Sequence, residues 1–306
     1  MVDVVCVASW NADLVSRVER PIARGETVLA RSFAISPGGK GSNAAVACAR
    51  QGAQTAVLAR IGRDDFGRMA LALWAREGVD IRHVERAEGE PSGVAQILVF
   101  DDGDNSIAVA PGAGAGLSEV HVEAARVTVG ASRVVMASNE VPMAATLAAF
   151  RIARAAGATT LLNPAPAQTP AELLALVDVI TPNETELCRV AGLADDASLH
   201  DAAQVMLRSG VGAVLVTLGA SGCRLWQPGQ PAQSISGWRM PQVVDTVGAG
   251  DTFTGALAAA LARGATLATA MRRANAAAAL SVTGRGAIDG MPSAAQVDAL
   301  LESAER

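Results

Sequence analysis

The apolar residues follow two periods, and over much of the chain the two alternate. Short runs rich in β-branched residues, typical of buried parallel strands, lie at 4–8, 55–61, 133–137, 159–162, 178–181 and 213–218, with a shorter run at 223–226. Stretches with a helical period lie between them, at 40–50, 64–77, 117–129 and 142–156, and a short helix precedes residue 178. The pattern therefore predicts an α/β fold with a doubly wound, mostly parallel sheet flanked by helices.

Two regions depart from this alternation. Residues 92–100 and 106–110 favour β-structure and are separated by the turn 101–105, which predicts a hairpin because a βαβ crossover needs more residues. Residues 25–35 are also short, extended and mixed in character. We expect one domain over 1–306 with a small β-sheet lid, formed by segments at about 9–36 and 91–110. Such a lid would exclude water from a site below it.

A glycine turn meets the start of an Ala- and Leu-rich helix predicted at 252–263. Gly248 and Gly250 lie in this turn, and the N–H groups and positive dipole end of the helix would attract an anion or stabilise a developing one. Asp251 stands at the same place and could take a proton from a substrate hydroxyl. The plainer alternative is that Asp251 only caps the helix.

A second glycine turn precedes the helix predicted at 40–50. Gly38 and Gly39 allow a close backbone approach to a ligand, and Lys40 and Asn43 place donors at the helix start. The P-loop spacing G-x-x-x-x-G-K-[ST] is absent. Lys40 is the only lysine among 25 basic residues, and a compact charge beside glycines favours a function over drift.

Polar side chains follow several predicted strands, at the strand ends where ligands bind in parallel sheets. Asn11 and Asp13 follow the first strand, and Glu140 follows the strand at 133–137. Asx turns are the alternative for Asn11 and Asp13. Asn183 and Glu186 equally match a capping box at a helix start.

Two further glycine turns are candidates for ligand contacts. The turn 219–222 follows a buried strand and indicates either a nucleotide contact or a plain hairpin turn. The segment 283–287 follows a long Ala-rich helix, and a glycine C-cap there would free carbonyl groups that could bind a cation.

The composition narrows the function to small-molecule chemistry. Half of the residues are hydrophobic and the net charge is −5, which argues against a nucleic-acid surface or a basic membrane patch. The four cysteines and three histidines show no zinc-ligand spacing, and the N-terminus lacks the basic region of a signal peptide. Arginines interrupt the apolar stretch 255–281, so packed core helices are expected there. We expect a cytoplasmic protein with reduced thiols, no membrane contact and no nucleic-acid partner.

Three motifs resemble those of the ribokinase-like (PfkB) carbohydrate kinase family: G-G-K-G-x-N at 38–43, N-x-x-E at 183–186 and D-T-x-G-A-G-D at 245–251. Their order and spacing match over essentially the whole chain. The resemblance implies an ATP-dependent sugar kinase that uses Mg²⁺ and is activated by K⁺, with the 5-hydroxyl of D-ribose as the expected acceptor. From the exposed edges of the lid we also expect a homodimer paired through it.

The resemblance assigns roles residue by residue. Asp251 would be the catalytic base, beside an anion hole formed by Gly248, Ala249, Gly250 and Asp251. The sugar hydroxyls would contact Asn11, Asp13, Gly39, Lys40, Asn43, Glu140 and Asp251. The ATP site would include Asn183, Thr217, Gly219, Gly222, Gly250 and Asn275. Glu186 would hold Mg²⁺ through water, and K⁺ would be held by Asp245, Val247, Ser281, Gly284 and Gly286.

Three positions depart from the family pattern: Trp10, Gly290, and Asn139, which precedes Glu140 where an apolar residue is usual. Other functions therefore stay open. Trp10 stands where a small aliphatic residue is expected and could stack on an aglycone, so a nucleoside, 2-deoxyribose or another sugar is the alternative substrate. Gly290 stands where the family usually has a hydroxyl that helps to bind K⁺. A catalytically silent sugar-binding protein is a further alternative. A dinucleotide-dependent oxidoreductase is excluded, because no G-x-G-x-x-G follows the first strand.

Overall fold

The computed structural model describes residues 2–303, and strands alternate with helices along most of that range. The strands are β1 Val4–Val7, β2 Asn11–Arg17, β3 Ser32–Gly38, β4 Thr55–Gly62, β5 Asp80–Ala87, β6 Val94–Val99, β7 Asn105–Ala110, β8 Val134–Ser138, β9 Thr159–Asn163, β10 Val179–Ile180, β11 Ala213–Thr217, β12 Cys223–Trp226 and β13 Gln233–Ile235. The α-helices are α1 Lys40–Arg50, α2 Asp65–Arg76, α3 Glu119–Ala124, α4 Arg126–Ala131, α5 Met143–Ala155, α6 Ala171–Leu174, α7 Glu184–Val190, α8 Leu199–Arg208, α9 Ala249–Ala262, α10 Leu267–Ser281 and α11 Ala294–Ser303.

The larger sheet confirms the predicted doubly wound fold. Its nine strands in the described range have the order β13-β12-β11-β10-β9-β8-β1-β4-β5. Neighbouring strands from β11 to β5 are parallel, and β12 and β13 add an antiparallel edge. The chain leaves β1 on one side towards β4 and later returns on the other side at β8. The carboxyl ends of β1 and β8 therefore form the switch point at which such sheets bind ligands.

Helices on both faces explain why the central strands lack polar positions. In β1, Val4 and Cys6 belong to one hydrophobic core, and Val5 and Val7 belong to the core on the opposite face. Each is at most 1% exposed. A strand that is buried on both faces has a continuous run of apolar residues, as the sequence has at 4–8.

A smaller sheet lies apart from the large one. It has four strands among the described residues, in the order β3-β2-β6-β7, with antiparallel pairs at both ends and a parallel pair between β2 and β6. The hairpin predicted around 101–105 is present as the β6–β7 pair. Strand β7 is exposed along its whole length.

Helix α9 packs closely on α1, and this contact brings the two glycine motifs together. A Cβ atom on Gly255 would lie 2.3 Å from the carbonyl oxygen of Ala44, so only glycine fits at this crossing. Eleven of the residues of α9 are buried, including Asp251 in its first turn. Ala44 follows Asn43 in α1, so the same crossing places Asn43 beside Asp251.

Three helix boundaries differ from the prediction. Helix α9 begins at Ala249 rather than 252, because Gly248 (φ +79°) is its left-handed N-cap and Gly250 lies inside the helix. The helix predicted at 117–129 is two short helices that meet at Ala125 and each bury one valine, Val122 or Val129. Helix α10 ends on Val282 in a right-handed conformation, not on a glycine cap.

The pattern also missed two edge strands of the large sheet. Strand β5 carries acidic and basic residues and is only partly buried, and β13 has three residues. Charged edge strands limit edge-to-edge pairing, and they give no apolar signal in the sequence. None of the helices within 2–303 combines the length and apolar character that crossing a bilayer requires.

Candidate active site

A cavity of about 1020 Å³ lies between the small sheet and the carboxyl ends of β1 and β8. All seven predicted sugar-binding residues line it, and Gly248 joins them. These residues come from four places along the chain: β2, the start of α1, the loop after β8 and the start of α9. The structure therefore brings together side chains that lie far apart in the sequence. The lining residues are Asn11, Asp13, Gly39, Lys40, Asn43, Glu140, Gly248 and Asp251.

Asp251 lies buried in the first turn of α9, with 6% of its surface exposed. The side-chain amide of Asn43 donates a hydrogen bond of 2.9 Å to its Oδ2. Gly248, not Asp251, is the N-cap of the helix, so the capping alternative is wrong. Burial raises the pKa of Asp251 to about 6, while the charge of Lys40 and the hydrogen bond from Asn43 act in the opposite direction.

The charges around Asp251 are strongly coupled. Burial, followed by the charges of Glu140 and Asp251, raises the pKa of Asp13 to about 7. The charge of Asp251 raises the pKa of the Lys40 ammonium, and burial opposes this effect. The carboxylates of Asp13, Glu140 and Asp251 and the ammonium of Lys40 therefore interact within one cavity. Such a set can accept and donate hydrogen bonds to a neutral polyol without a net charge on the ligand.

The N-terminus of α9 is free to hold an anion. Among residues 2–303, the backbone N–H groups of Gly250 and Asp251 donate to no protein acceptor, and the N–H of Ala249 makes only a 3.3 Å bond to the carbonyl of Thr246. Unpaired donors at the positive end of a helix dipole bind phosphate-like groups. Asp251 thus lies beside a vacant set of donors in the same turn.

The N-terminus of α1 is already filled by protein groups. Its N-cap, Gly39, has no side chain, but the Lys40 N–H donates to Glu140 Oε2 at 2.8 Å and the Gly41 N–H donates to Ser9 Oγ at 3.0 Å. The carboxylate of Glu140 occupies the position that a bound anion would take. Of the two glycine turns, only the one before α9 leaves room for a phosphoryl group.

The candidate nucleotide residues lie outside this cavity and form a connected group. Thr217 and Asn183 form a parallel bridge between the ends of β11 and β10. Asn183 and Glu186 form the reciprocal capping box of α7, with bonds of 2.8 and 2.9 Å. Thr181 lies two residues before Asn183, and its hydroxyl forms a 3.1 Å hydrogen bond with the hydroxyl of Thr254 in α9. This bond connects the end of β10 to the helix that carries Asp251.

The remaining nucleotide candidates surround the turn after β11. A Cβ on Gly222 would lie 2.0 Å from the carbonyl oxygen of Ile235, so this turn packs directly on the end of β13. Asn275 of α10 donates a 2.9 Å hydrogen bond to the carbonyl of Ser236, the residue that follows β13. Gly219 lies in a short 3-10 turn, and a Cβ added there would have no neighbour within 4 Å, so this glycine borders open space.

The candidate cation residues meet where two loops join. The carboxylate of Asp245 accepts hydrogen bonds from the N–H of Val247 at 3.0 Å and of Gly286 at 2.9 Å. A Cβ on Gly290 would lie 2.5 Å from the carbonyl oxygen of Ser281 and 3.3 Å from that of Gly286. Gly290 therefore packs against two of the candidate carbonyl groups and leaves no room for a side chain. Oxygen donors of this kind fit a hard cation. Among described residues, no cluster of three or more His, Cys, Asp or Glu side chains suits a metal ion.

Trp10 and Asn139, two departures from the family pattern beside the sugar site, do not line the cavity, and the expected stacking of Trp10 on an aglycone is wrong. Trp10 is buried (3% exposed) and packs edge-on against Trp74 at 5.7 Å, so it is not available to stack on an aglycone. Asn139 turns away from the cavity, and its amide donates to the carbonyl of Pro166 and the hydroxyl of Thr169. Both side chains serve packing rather than the ligand.

The sequence predicted the lid but not which of its residues face the cavity, and it gave no sign of Ser9 beside Glu140. Alternate residues of the small sheet face the cavity: Val15, Arg17, Ala95, Ile97, Val99, Asn105, Ile107 and Val109. Their period of two was present in the sequence and could have predicted this face. Ser9, which contacts Glu140, carried no signal because a serine after a strand is common in loops.

The fold and the cavity define an α/β protein with a buried carboxylate, Asp251, beside unpaired N–H groups at the start of α9, and comparisons with known proteins identify its family. The chain matches the pfkB family carbohydrate kinase over residues 1–294. A ribokinase of Haemophilus influenzae is 38% identical over 301 residues, which cover 97% of this chain and 98% of that protein. A deoxyribokinase of Salmonella typhi is 31% identical over 303 residues, covering 98% of each.

A solved structure is similar over its full length. The Arabidopsis thaliana ribokinase complexed with ribose and ATP superposes with a TM-score of 0.91 at 33% identity and covers 99% of both chains. The chain therefore belongs to the PfkB family of carbohydrate kinases. It is a phosphotransferase with an alcohol group as acceptor, as the motifs led us to expect.

Proposed function

We propose that this chain is an ATP-dependent kinase that phosphorylates the 5-hydroxyl of D-ribose to give ribose 5-phosphate. The observation that carries this proposal is the position of Asp251, a buried carboxylate held by Asn43 in the turn with the unpaired N–H groups of α9. The ribokinases of similar sequence, and the similar structure with ribose and ATP, support the choice of substrates.

In the proposed reaction, Asp251 accepts the proton of the sugar hydroxyl as its oxygen attacks the γ-phosphorus. A new O–P bond forms, the bond to ADP breaks, and ADP leaves with the former bridging electron pair. The N–H groups of Ala249, Gly250 and Asp251, preceded by Gly248, stabilise the charge that develops on the phosphoryl oxygens. With a pKa of about 6, Asp251 is mostly ionised at neutral pH and is ready to act as a base.

The polar floor of the cavity is proposed to hold the sugar. Amide and carboxylate groups can bridge vicinal hydroxyls, and Asn11, Asp13 and Glu140 supply them from two strand ends. Lys40 and Asn43 add donors from α1, and Gly39 offers backbone without a side chain. The mostly apolar roof of the small sheet would exclude water, so that phosphate is transferred to the sugar instead of being hydrolysed.

The nucleotide is proposed to lie along the connected group behind α9. Thr217, Gly219, Gly222 and Asn275 would line the ATP site, with Gly250 and Asn183 near its phosphates. Glu186 would hold Mg²⁺ through water, because one of its oxygens is used by the Asn183 N–H and the other makes no protein bond within 2–303. Bound Mg²⁺ would neutralise phosphate charge.

Potassium is proposed as an activator held by Asp245 and the carbonyls of Val247, Ser281, Gly284 and Gly286. The carbonyl oxygens of Ser281 and Gly286 beside Gly290 support this placement. The ion would supply positive charge next to the loop that forms the anion site. Replacing K⁺ by Na⁺ at constant ionic strength should lower kcat, and equal rates in both salts would refute the assignment.

The small sheet is proposed to act as the lid and as the contact of a homodimer. Its outer strands β3 and β7 are open edges, and Phe33 and Ile35 of β3, which do not line the cavity, are 59% and 49% exposed. Sedimentation should give twice the mass of one chain, and a monomer at working concentration would refute the dimer. The four cysteines are buried free thiols, which suits the cytoplasm as the proposed location.

The direct test identifies the product. The purified protein is incubated with ATP, Mg²⁺ and K⁺ against ribose, 2-deoxyribose, fructose and adenosine, and the phosphate position is assigned by NMR. We expect ribose 5-phosphate as the main product. A preference for 2-deoxyribose or adenosine would support one of the alternative substrates. Of these two, 2-deoxyribose is the stronger alternative, because a deoxyribokinase is among the similar proteins. Sugar binding without ADP release would indicate the catalytically silent alternative.

A further inference from the structure

Ser9 connects three elements of the active site. It follows β1, is 7% exposed, and its hydroxyl donates a 2.7 Å hydrogen bond to Oε2 of Glu140. The same hydroxyl oxygen accepts the N–H of Gly41 at 3.0 Å, and the carbonyl of Ser9 accepts the N–H of Ser42 at 3.1 Å. One buried serine therefore bridges β1, α1 and the loop after β8.

Ser9 and Glu140 together cap α1 from outside the helix. A helix leaves its first N–H groups unpaired, and a polar N-cap side chain usually satisfies one of them. Here Gly39 provides no side chain. The Lys40 N–H goes to Glu140, and the Gly41 and Ser42 N–H groups go to Ser9. The cap joins the start of α1 to the carboxylate.

The remaining oxygen of Glu140 is left for a ligand. Oε2 accepts both the Ser9 hydroxyl and the Lys40 N–H, whereas Oε1 has no hydrogen-bond partner in the part of the chain described. Glu140 lines the cavity with Asp13 and Lys40. Its own backbone N–H makes only a 3.5 Å contact with Ser138 Oγ, so the loop alone holds it weakly.

We propose that Ser9 is a positioning residue for sugar binding. By holding Oε2 it fixes the rotamer of Glu140, keeps Oε1 directed to the sugar hydroxyls, and links Glu140 to α1, which carries Lys40 and Asn43. The inference rests on the proposed sugar kinase function. Ser9 touches neither the phosphoryl group nor the base, so it acts on ground-state sugar binding and not on the chemical step.

Ser9→Ala tests this assignment. Loss of a buried hydrogen bond to a charged group should raise the KM for ribose about tenfold, with kcat and the KM for ATP within twofold of wild type. Ser42→Ala is the matched control: Ser42 is a buried serine of α1 whose hydroxyl accepts the Trp74 indole N–H at 2.9 Å and is not bonded to Glu140. Its KM for ribose should stay within twofold, although its thermal stability falls.

A double-mutant cycle separates positioning from a general structural effect. If Ser9 acts through Glu140, Ser9→Ala adds no further rise in KM to a Glu140→Ala enzyme. Additive effects of the two substitutions, or an unchanged KM in Ser9→Ala, would overturn the inference. Ser9→Cys keeps a weaker donor of similar size and should give a KM for ribose between those of the wild type and Ser9→Ala. This variant tests the proposal if the alanine variant folds poorly. Failure of the wild type to use ribose would instead refute the proposed function.

Discussion

The chemistry of the site depends on how single residues are buried. Asp251 and Asp13 are carboxylates whose pKa values are raised by burial, and Lys40 is the cation that opposes this effect at Asp251. The sequence offered Lys40 and Asp251 as candidates, as a lone lysine and part of a D-T-x-G-A-G-D run, and Asp13 as a polar residue after the first strand. It could not predict their protonation, since that depends on burial and on charges from α1, β2 and the loop after β8.

The pH dependence of the reaction follows from Asp251. A base must be deprotonated to act, so kcat/KM for ribose should fall about tenfold per unit as the pH drops below about 6. Asp13 contacts the sugar in the proposed site and has a pKa of about 7, so its protonation should add to this fall, and the profile should be level only above about pH 8. Lys40→Met removes a charge that lowers the pKa of Asp251, so the midpoint should move to higher pH. Initial rates from pH 5 to 8.5 check both profiles. A level profile down to pH 5 in the wild type would exclude Asp251 as the base.

At the level of elements, the N-termini of α1 and α9 are similar in sequence but differ in which groups bind their N–H donors. Both follow glycine turns, and the sequence offered both as ligand sites. Among residues 2–303, the N–H groups of Gly250 and Asp251 at the start of α9 have no protein acceptor, whereas those at the start of α1 are bound by Ser9 and Glu140. This difference arises from partners more than 30 residues away in the chain, so no local pattern could reveal it. The start of α9 at Ala249 was likewise set by the backbone of Gly248 and not by composition.

The close packing of α9 on α1 predicts a sensitive glycine. Gly255→Ala should destabilise the fold by about 1–3 kcal/mol and lower kcat/KM, because the new Cβ would meet the carbonyl of Ala44 at 2.3 Å and push Asp251 away from Asn43. Urea unfolding and ribose kinetics measure the two effects.

The control for this change is Gly130→Ala in α4, where the nearest atom to a new Cβ lies at 3.8 Å. It should leave kinetics unchanged and add up to about 1 kcal/mol of stability from helix propensity. Equal effects of the two substitutions would show that the crossing of α9 and α1 does not set the site.

For the whole molecule, the alternation of strand and helix patterns predicted the doubly wound sheet, and short, continuous apolar runs predicted its central strands. The edge strands β5 and β13 were missed because they bury little. Contacts between segments that lie far apart in the sequence could not be predicted from it either. Arg50, at the end of α1, pairs with Glu77 and donates to the carbonyls of Ile288 and Met291, which joins α1 to the loop beside Gly290.

Arg50→Met should therefore lower the free energy of unfolding by about 2–3 kcal/mol, because it leaves the mostly buried carboxylate of Glu77 and two carbonyls without this donor. Denaturant titration at pH 7 measures this loss. Arg189→Met removes an exposed ion pair with Asp195 and should cause no measurable change. A loss no larger than that of the exposed pair would show that Arg50 does not join these elements.

The most direct test of the account is the turnover of ribose by Asp251→Asn. Asparagine keeps the size and an acceptor for Asn43 but cannot take the proton, so kcat should fall at least about a hundredfold while ribose binding persists. Stability at pH 7 should not fall, because a buried charge is removed. Loss of turnover with a folded, ribose-binding protein is the result we predict. Turnover within tenfold of wild type would contradict the assignment of Asp251 as the base and with it the central claim.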